Sequence, residues 1–185
     1  IQNKPSTEII KLIYASTPHR GLNILLDVLQ NKDFEEPNWE LSVFSSFKLY
    51  NRGLQDNEFK SLYDRCEDDP RIHYHGAQSN DVVRQFMIDS HIMTYPCKYM
   101  ETSCLTAMEA MSAGNIICPN YGALPETTGN FSWSYNYEED EERHKQIFSH
   151  ILTDVIKNYN QPNIREMLQL QKMYADTFYS WGARI

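Results

Sequence analysis

Short apolar runs alternate along this chain with longer stretches in which apolar positions recur every three to four residues. Ile9 to Ala15 is nearly unbroken in its apolar character and predicts a buried strand. Gly21 to Gln30 follows with Leu22, Leu25, Leu26 and Leu29 at helical spacing. Leu41–Phe44 predicts a second strand, Asn57 to Cys66 a helix, and Arg71 to His75 a third strand. Asp81 to Ser90 reads as a helix capped by Ser79 or Asn80. Ile92 to Tyr95, closed by Pro96, is the fourth strand, and Thr102 to Ala113 a helix stopped at Gly114. Ile116 to Cys118, ended by Pro119, gives a fifth strand, and Phe131 to Tyr135 a sixth. Two helices, Glu139 to Asn158 and Asn163 to Thr177, complete the pattern with Pro162 between them.

This alternation predicts an α/β fold: a Rossmann-like, three-layer domain with a parallel sheet of about six strands. Ligands of such sheets bind beyond the carboxyl ends of the strands, near the point where strand order reverses. The loops that matter are then 16–20, 76–79, 96–103 and 119–126. A Gly-x-Gly-x-x-Gly does not follow the first strand, which disfavours an ordinary dinucleotide site.

Composition narrows the class without naming it. The chain has 185 residues, 41% hydrophobic and 23% charged, enough for one domain with a full core. Its formal charge of −8 argues against a nucleic-acid backbone as the main ligand. The longest apolar runs fall well short of the roughly 18 residues of a membrane span, and Ile1 to Glu8 reads as a polar lead-in. Cys66, Cys97, Cys104 and Cys118 lack the close pairing of zinc or redox sites, which fits reduced thiols and a cytoplasmic location. His73 and His75 would face opposite sides of a strand, a poor start for a metal site.

The chemistry gathers in two places. Glu101 and Glu109 are separated by seven residues, with Thr102 and Ser103 as candidate helix caps between them. That puts Glu101 just before the helix and Glu109 about two turns inside it. The amides of Ser103, Cys104 and Leu105 would form an anion-binding helix start. The carboxylates suit hydroxyl-rich groups, because an ionised carboxylate only accepts hydrogen bonds and can take two from a diol. The bland alternative is a solvated loop charge and an exposed helix residue. Arg20, at the start of the first helix, is disfavoured by the helix dipole unless an anion compensates, and its planar fork suits a diphosphate.

Together these segments resemble the C-terminal domain of the family 4 retaining glycosyltransferases of GT-B fold. The resemblance is carried by Arg20-Gly21, His75-Gly76, Glu101 with Glu109, the Glu-Ala-Met-x-x-Gly from Glu109 to Gly114, and Gly122-x-x-Pro125-Glu126, with Ser180-Trp181 in the tail. It implies a nucleotide-sugar donor linked to UDP or GDP, and roles for these residues as follows. Arg20 would neutralise the donor diphosphate, Glu109 would bind the ribose and Glu101 the sugar. Amides from Ser103 to Leu105, beside Thr102 and Cys104, would meet phosphate or sugar oxygens, and backbone near Ala77 the base. Arg20 and Glu101 are the catalytic candidates.

Neither a metal nor another cofactor is implied, because arginine and helix amides take the charge. The anomeric configuration would be retained by front-face attack, without a protein nucleophile. Two departures stand out. The loop after the first strand offers Ser16 and Thr17 where the family often has an arginine, and Glu101-Thr102-Ser103-Cys104 replaces Glu-Gly-Phe-Gly. The resemblance also implies an N-terminal acceptor domain, in cis or on a partner subunit, so that residues 1–185 form the donor domain only and are inactive alone. An epimerase or phosphorylase lacks support here; a non-catalytic nucleotide-sugar-binding or assembly module is the alternative.

Overall fold

In the structure, a computed structural model that describes residues 9–34, 36 and 38–180, six parallel strands form one sheet. They are β1 (Ile10–Ala15), β2 (Trp39–Phe44), β3 (Ile72–Tyr74), β4 (Ile92–Thr94), β5 (Asn115–Asn120) and β6 (Trp133–Asn136), in the order β3-β2-β1-β4-β5-β6. Register runs from Ile10 opposite Trp39 to Ala15 opposite Phe44, and Leu12 and Ile13 lie opposite Ile92 and Met93 on β1's other side. Strand order reverses between β1 and β4. The expected doubly wound α/β architecture is present.

The reason lies in the central strands. Every residue of β1 except Lys11 is buried, as a strand covered on both faces requires. The helices are α1 (Leu22–Leu29), α2 (Lys60–Asp68), α3 (Asn80–Asp89), α4 (Leu105–Ala113), α5 (Leu124–Thr128), α6 (Glu141–Asn158) and α7 (Pro162–Phe178). They fall into two packed groups, α1 with α2 and α6, and α4 with α3, α5 and α7. On α6, His144, Phe148, Leu152 and Val155 form the buried stripe, and Asp140 caps the helix by accepting from the Arg143 amide at 2.8 Å. Ala107 and Ala110 let α4 lie close to its neighbours.

Several boundaries differ from the sequence pattern. The second helix begins at Lys60, behind a 3-10 stretch over Gly53–Phe59. Pro162 does not separate the last two helices but opens α7, at the position where its missing N–H costs nothing. Pro119 does not end β5, which runs on to Asn120. Tyr95 donates to the Ile117 carbonyl, so alternation turns the Pro119 nitrogen to that same side, where β4 has already finished at Thr94. The lead-in at 1–8 and Trp181 lie outside the described residues. None of the helices described is long and apolar enough to cross a membrane.

Candidate functional site

At the strand-order reversal, the loops leaving β1 and β4 meet. Gly21, at φ 120°, is what lets them touch: a Cβ there would lie 2.1 Å from the Pro96 carbonyl oxygen. On the far side of the β4 loop, Gly122 at φ 55° would put a Cβ 2.7 Å from the Glu101 oxygen and 2.8 Å from its nitrogen. The Ala123 amide donates to that Glu101 carbonyl at 2.8 Å. Two of the glycines quoted for the resemblance, Gly21 and Gly122, therefore grip one loop from either side.

That grip moves the helix start. α4 begins at Leu105 with Cys104 as its N-cap, not at Thr102, and no side-chain hydrogen bond caps it. Glu109 is thus the fifth helical residue, one turn in rather than two. The amides that open the helix are those of Leu105, Thr106 and Ala107, the last also directed at the Cys104 thiol; Ser103 and Cys104 precede the first turn.

Glu101 is not a solvated charge; it is 6% exposed. Its Oε1 accepts from the buried Tyr95 hydroxyl at 2.7 Å, and Arg20 Nε lies 3.2 Å from the same atom. The Arg20 contact is an ion pair without hydrogen-bond alignment, since its Nε finds no hydrogen-bond acceptor. Burial opposes the Arg20 charge, but Glu101 together with Tyr95, Tyr50 and Cys97 overcomes it and holds the guanidinium above its ordinary pKa. The guanidinium also lies over the Tyr99 ring, 5.1 Å from its centroid. Burial, with Arg20 adjacent, pushes His19 down, and its ring stacks on Phe47 at 5.4 Å.

Above this layer opens a cleft of about 410 Å³. Ser16, Thr17 and Arg20 line it from the β1 loop, and Leu105, Thr106 and Glu109 from α4. The structure therefore brings Arg20 and Glu109 to one cavity with Ser16, Thr17 and Leu105. Gly76 and Gln78 line it on either side of Ala77, while Thr102, Ser103, Cys104 and Glu101 lie outside the lining. Thr102 and Ser103 are exposed, and Cys104 is buried with its thiol pushed up to about 12 by burial. Ser16 Oγ and Thr17 Oγ1 are buried without a hydrogen-bond partner, an unusual state that a polar ligand would relieve.

Three functional candidates escaped the sequence pattern. Arg84 donates to Glu109, Tyr95 holds Glu101, and the turn after β2 supplies Ser46, Leu49 and Tyr50 to the cleft. The last could have been found, because β2 also ends at this edge of the sheet. Among the described residues, no three His, Cys, Asp or Glu side chains converge as a metal site would need.

Solved structures share this fold. A glycosyltransferase from Rickettsia africae aligns with a TM-score of 0.72 at 14% identity over 96% of this chain. Anabaena HepE, solved with UDP and glucose, gives 0.70 at 15% over 92%. WaaG, a glycosyltransferase involved in lipopolysaccharide biosynthesis, gives 0.65 at 16% over 95%. The chain spans only 44–45% of the length of these three. No curated protein sequence matches it. The family described as Glycosyl transferases group 1 matches residues 1–172, and on that match the chain belongs to this glycosyltransferase family.

Proposed function

We propose that this chain is the donor-binding domain of a retaining glycosyltransferase that uses a nucleotide-diphosphate sugar. The observation that carries the reading is the cleft itself. A cation, two unpartnered hydroxyls, a helix start and a carboxylate surround one cavity at the reversal of strand order. Arg20 and the amides opening α4 suit a diphosphate, and one turn further along, Glu109 suits the ribose diol. β4 lies on the opposite side of β1 from β2 and β3. The sugar is accordingly assigned to the Glu101 side and the base to the Ala77 side. HepE was solved with UDP, which makes UDP the first nucleotide to try, with GDP as the other.

In transfer, the bond from the anomeric carbon to the diphosphate oxygen breaks while the acceptor oxygen bonds to the same face. The acceptor proton passes to the departing phosphate. Arg20 and the α4 amides stabilise the charge that builds on that phosphate, so neither a metal nor a protein nucleophile is assigned. Glu101 is assigned to the sugar side, and its ion pair keeps the Arg20 guanidinium beside the β4 loop. The acceptor is assigned to a second domain, in cis or on a partner subunit, a reading supported by the share of the solved glycosyltransferases that this chain spans. The chain alone should bind donor and not transfer it.

Calorimetric titration with UDP, GDP and their glucose conjugates tests this. Saturable binding of one nucleotide supports the reading; binding of none of them removes it.

A further inference from the structure

We infer that Tyr50, with Leu49 beside it, forms the stacking wall for the nucleobase of the donor. The inference rests on the donor-site reading and adds a residue that neither the motifs nor the family match assigns.

Leu49 and Tyr50 are 64% and 58% exposed, and both line the cleft. On a loose loop they would be ordinary surface, but this turn is built. It is a 3-10 turn over Phe47–Tyr50, closed by Asn51 in the left-handed region at φ 57°. Asp56 accepts from Ser46 Oγ at 2.6 Å, from the Phe47 amide at 2.8 Å and from the Tyr63 hydroxyl at 2.9 Å. Burial would raise the Asp56 carboxyl, yet these hydrogen bonds overcome it and hold the group below the ordinary range. Ser46 Oγ in turn accepts from the Lys48 amide at 3.0 Å. Phe47 stacks on His19, which ties the turn to the β1 loop that carries Arg20. So much internal bracing behind two exposed apolar side chains argues that their position, not their burial, is what the turn secures.

The cleft is divided by chemistry. Its charged lining, Arg20 and Glu109, comes from the β1 loop and α4, while neutral polar side chains such as Ser16, Thr17, Ser46 and Gln78 lie on both sides. Its apolar lining comes largely from the β2 side and α3, through Phe44, Leu49, Tyr50, Val83 and Met87. A ligand matched to both halves has a flat apolar end, a diol and an anionic end. A nucleoside diphosphate has that order, and its base is the part that an exposed aromatic ring can cover whatever its identity.

The test compares the chain with Tyr50→Ala and Tyr50→Phe in titrations with UDP or GDP (whichever binds), its glucose conjugate, and inorganic pyrophosphate. Tyr50→Ala should weaken nucleotide and nucleotide sugar by the same factor, about tenfold, and leave pyrophosphate unchanged. Tyr50→Phe, which keeps the ring, should stay within about twofold of the parent. An unchanged nucleotide affinity in Tyr50→Ala, an equal loss for pyrophosphate, or a loss confined to the sugar conjugate would each overturn the assignment. Those outcomes leave the donor site standing. Absence of nucleotide binding by the parent chain would instead remove both.

Discussion

Arg84 donates twice to a single oxygen of Glu109, through Nε at 3.0 Å and Nη2 at 2.8 Å, both to Oε1. The second helix of the cleft wall, α3, thereby fixes the carboxylate that α4 presents, and leaves Oε2 to accept from a diol. Glu109→Ala should weaken nucleotide binding by about 1.5–3 kcal/mol, the contribution of a charged hydrogen bond. Arg84→Ala should weaken it less, since only the orientation is lost. With side chains 54% and 28% exposed, the pair itself adds at most about 1 kcal/mol to stability. Calorimetry and urea unfolding of both variants check this. Equal affinities for Glu109→Ala and the parent would contradict the ribose assignment.

Arg20 is bound up with stability as well as ligand. Arg20→Ala should cost a nucleoside diphosphate about 1.5–3 kcal/mol of affinity and a nucleoside much less, because only the former carries the diphosphate. It also leaves the buried Glu101 carboxylate with the Tyr95 hydroxyl but without its cation, so the folded state should weaken too. Thermal unfolding alongside titration separates the two effects. A uniform loss across nucleoside and diphosphate would point to collapse of the turn rather than to a phosphate contact.

Why the sequence pattern indicates where Arg20 and Glu109 lie, but not that Glu101 is buried, is a matter of range. Central parallel strands advertise themselves, since burial on both faces makes them continuous apolar runs such as Ile9 to Ala15. Arg20 and Glu109 follow from the order of such elements. The burial of Glu101 depends on Tyr95 of its own loop and on Arg20 and Gly122, which arrive from the loops after β1 and β5. The same long-range grip denies Thr102 and Ser103 the helical start that their side chains suggest. Local cap chemistry lost there to a tertiary constraint. Pro119 was misleading in the opposite sense, because a proline ends a strand only where a neighbour needs its donor.

Gly122 offers the sharpest check on that grip. An alanine there must adopt a left-handed conformation, costing about 1–2 kcal/mol, and must also push Glu101 backbone atoms away. Gly122→Ala should therefore lower the Tm by roughly 4 °C or more. Because the displaced residue is Glu101, diphosphate affinity should fall with it. A variant with parental Tm and affinity would show that the β4 loop yields freely and does not set the site.

Loss of stability between pH 7.5 and pH 5 should trace largely to His144 on α6, above the range in which the lowered carboxylates Asp27, Asp56, Asp69 and Glu141 take up protons. This ring is 1% exposed on α6, and its Nε2 lies 2.7 Å from the Tyr135 hydroxyl. Burial raises the Tyr135 hydroxyl well above its ordinary pKa, so it keeps its proton, and the two share one hydrogen bond whose direction follows the histidine tautomer. Burial also pushes His144 down to about 4, with Glu141 and Lys98 acting in opposite directions. The unfolded chain takes up a proton near pH 6.5, whereas the folded chain resists it until about pH 4. Stability is therefore fully present above about pH 6.5 and falls as pH drops through this window. At pH 5 the loss from this group should be about 2 kcal/mol. His19 and His75, both lowered first by burial, add losses of the same sign. Urea midpoints at pH 7.5 and pH 5 should separate clearly for the parent chain and draw closer in His144→Gln, which keeps an acceptor for Tyr135 without a titrating ring. An undiminished pH slope in that variant would place the acid sensitivity elsewhere.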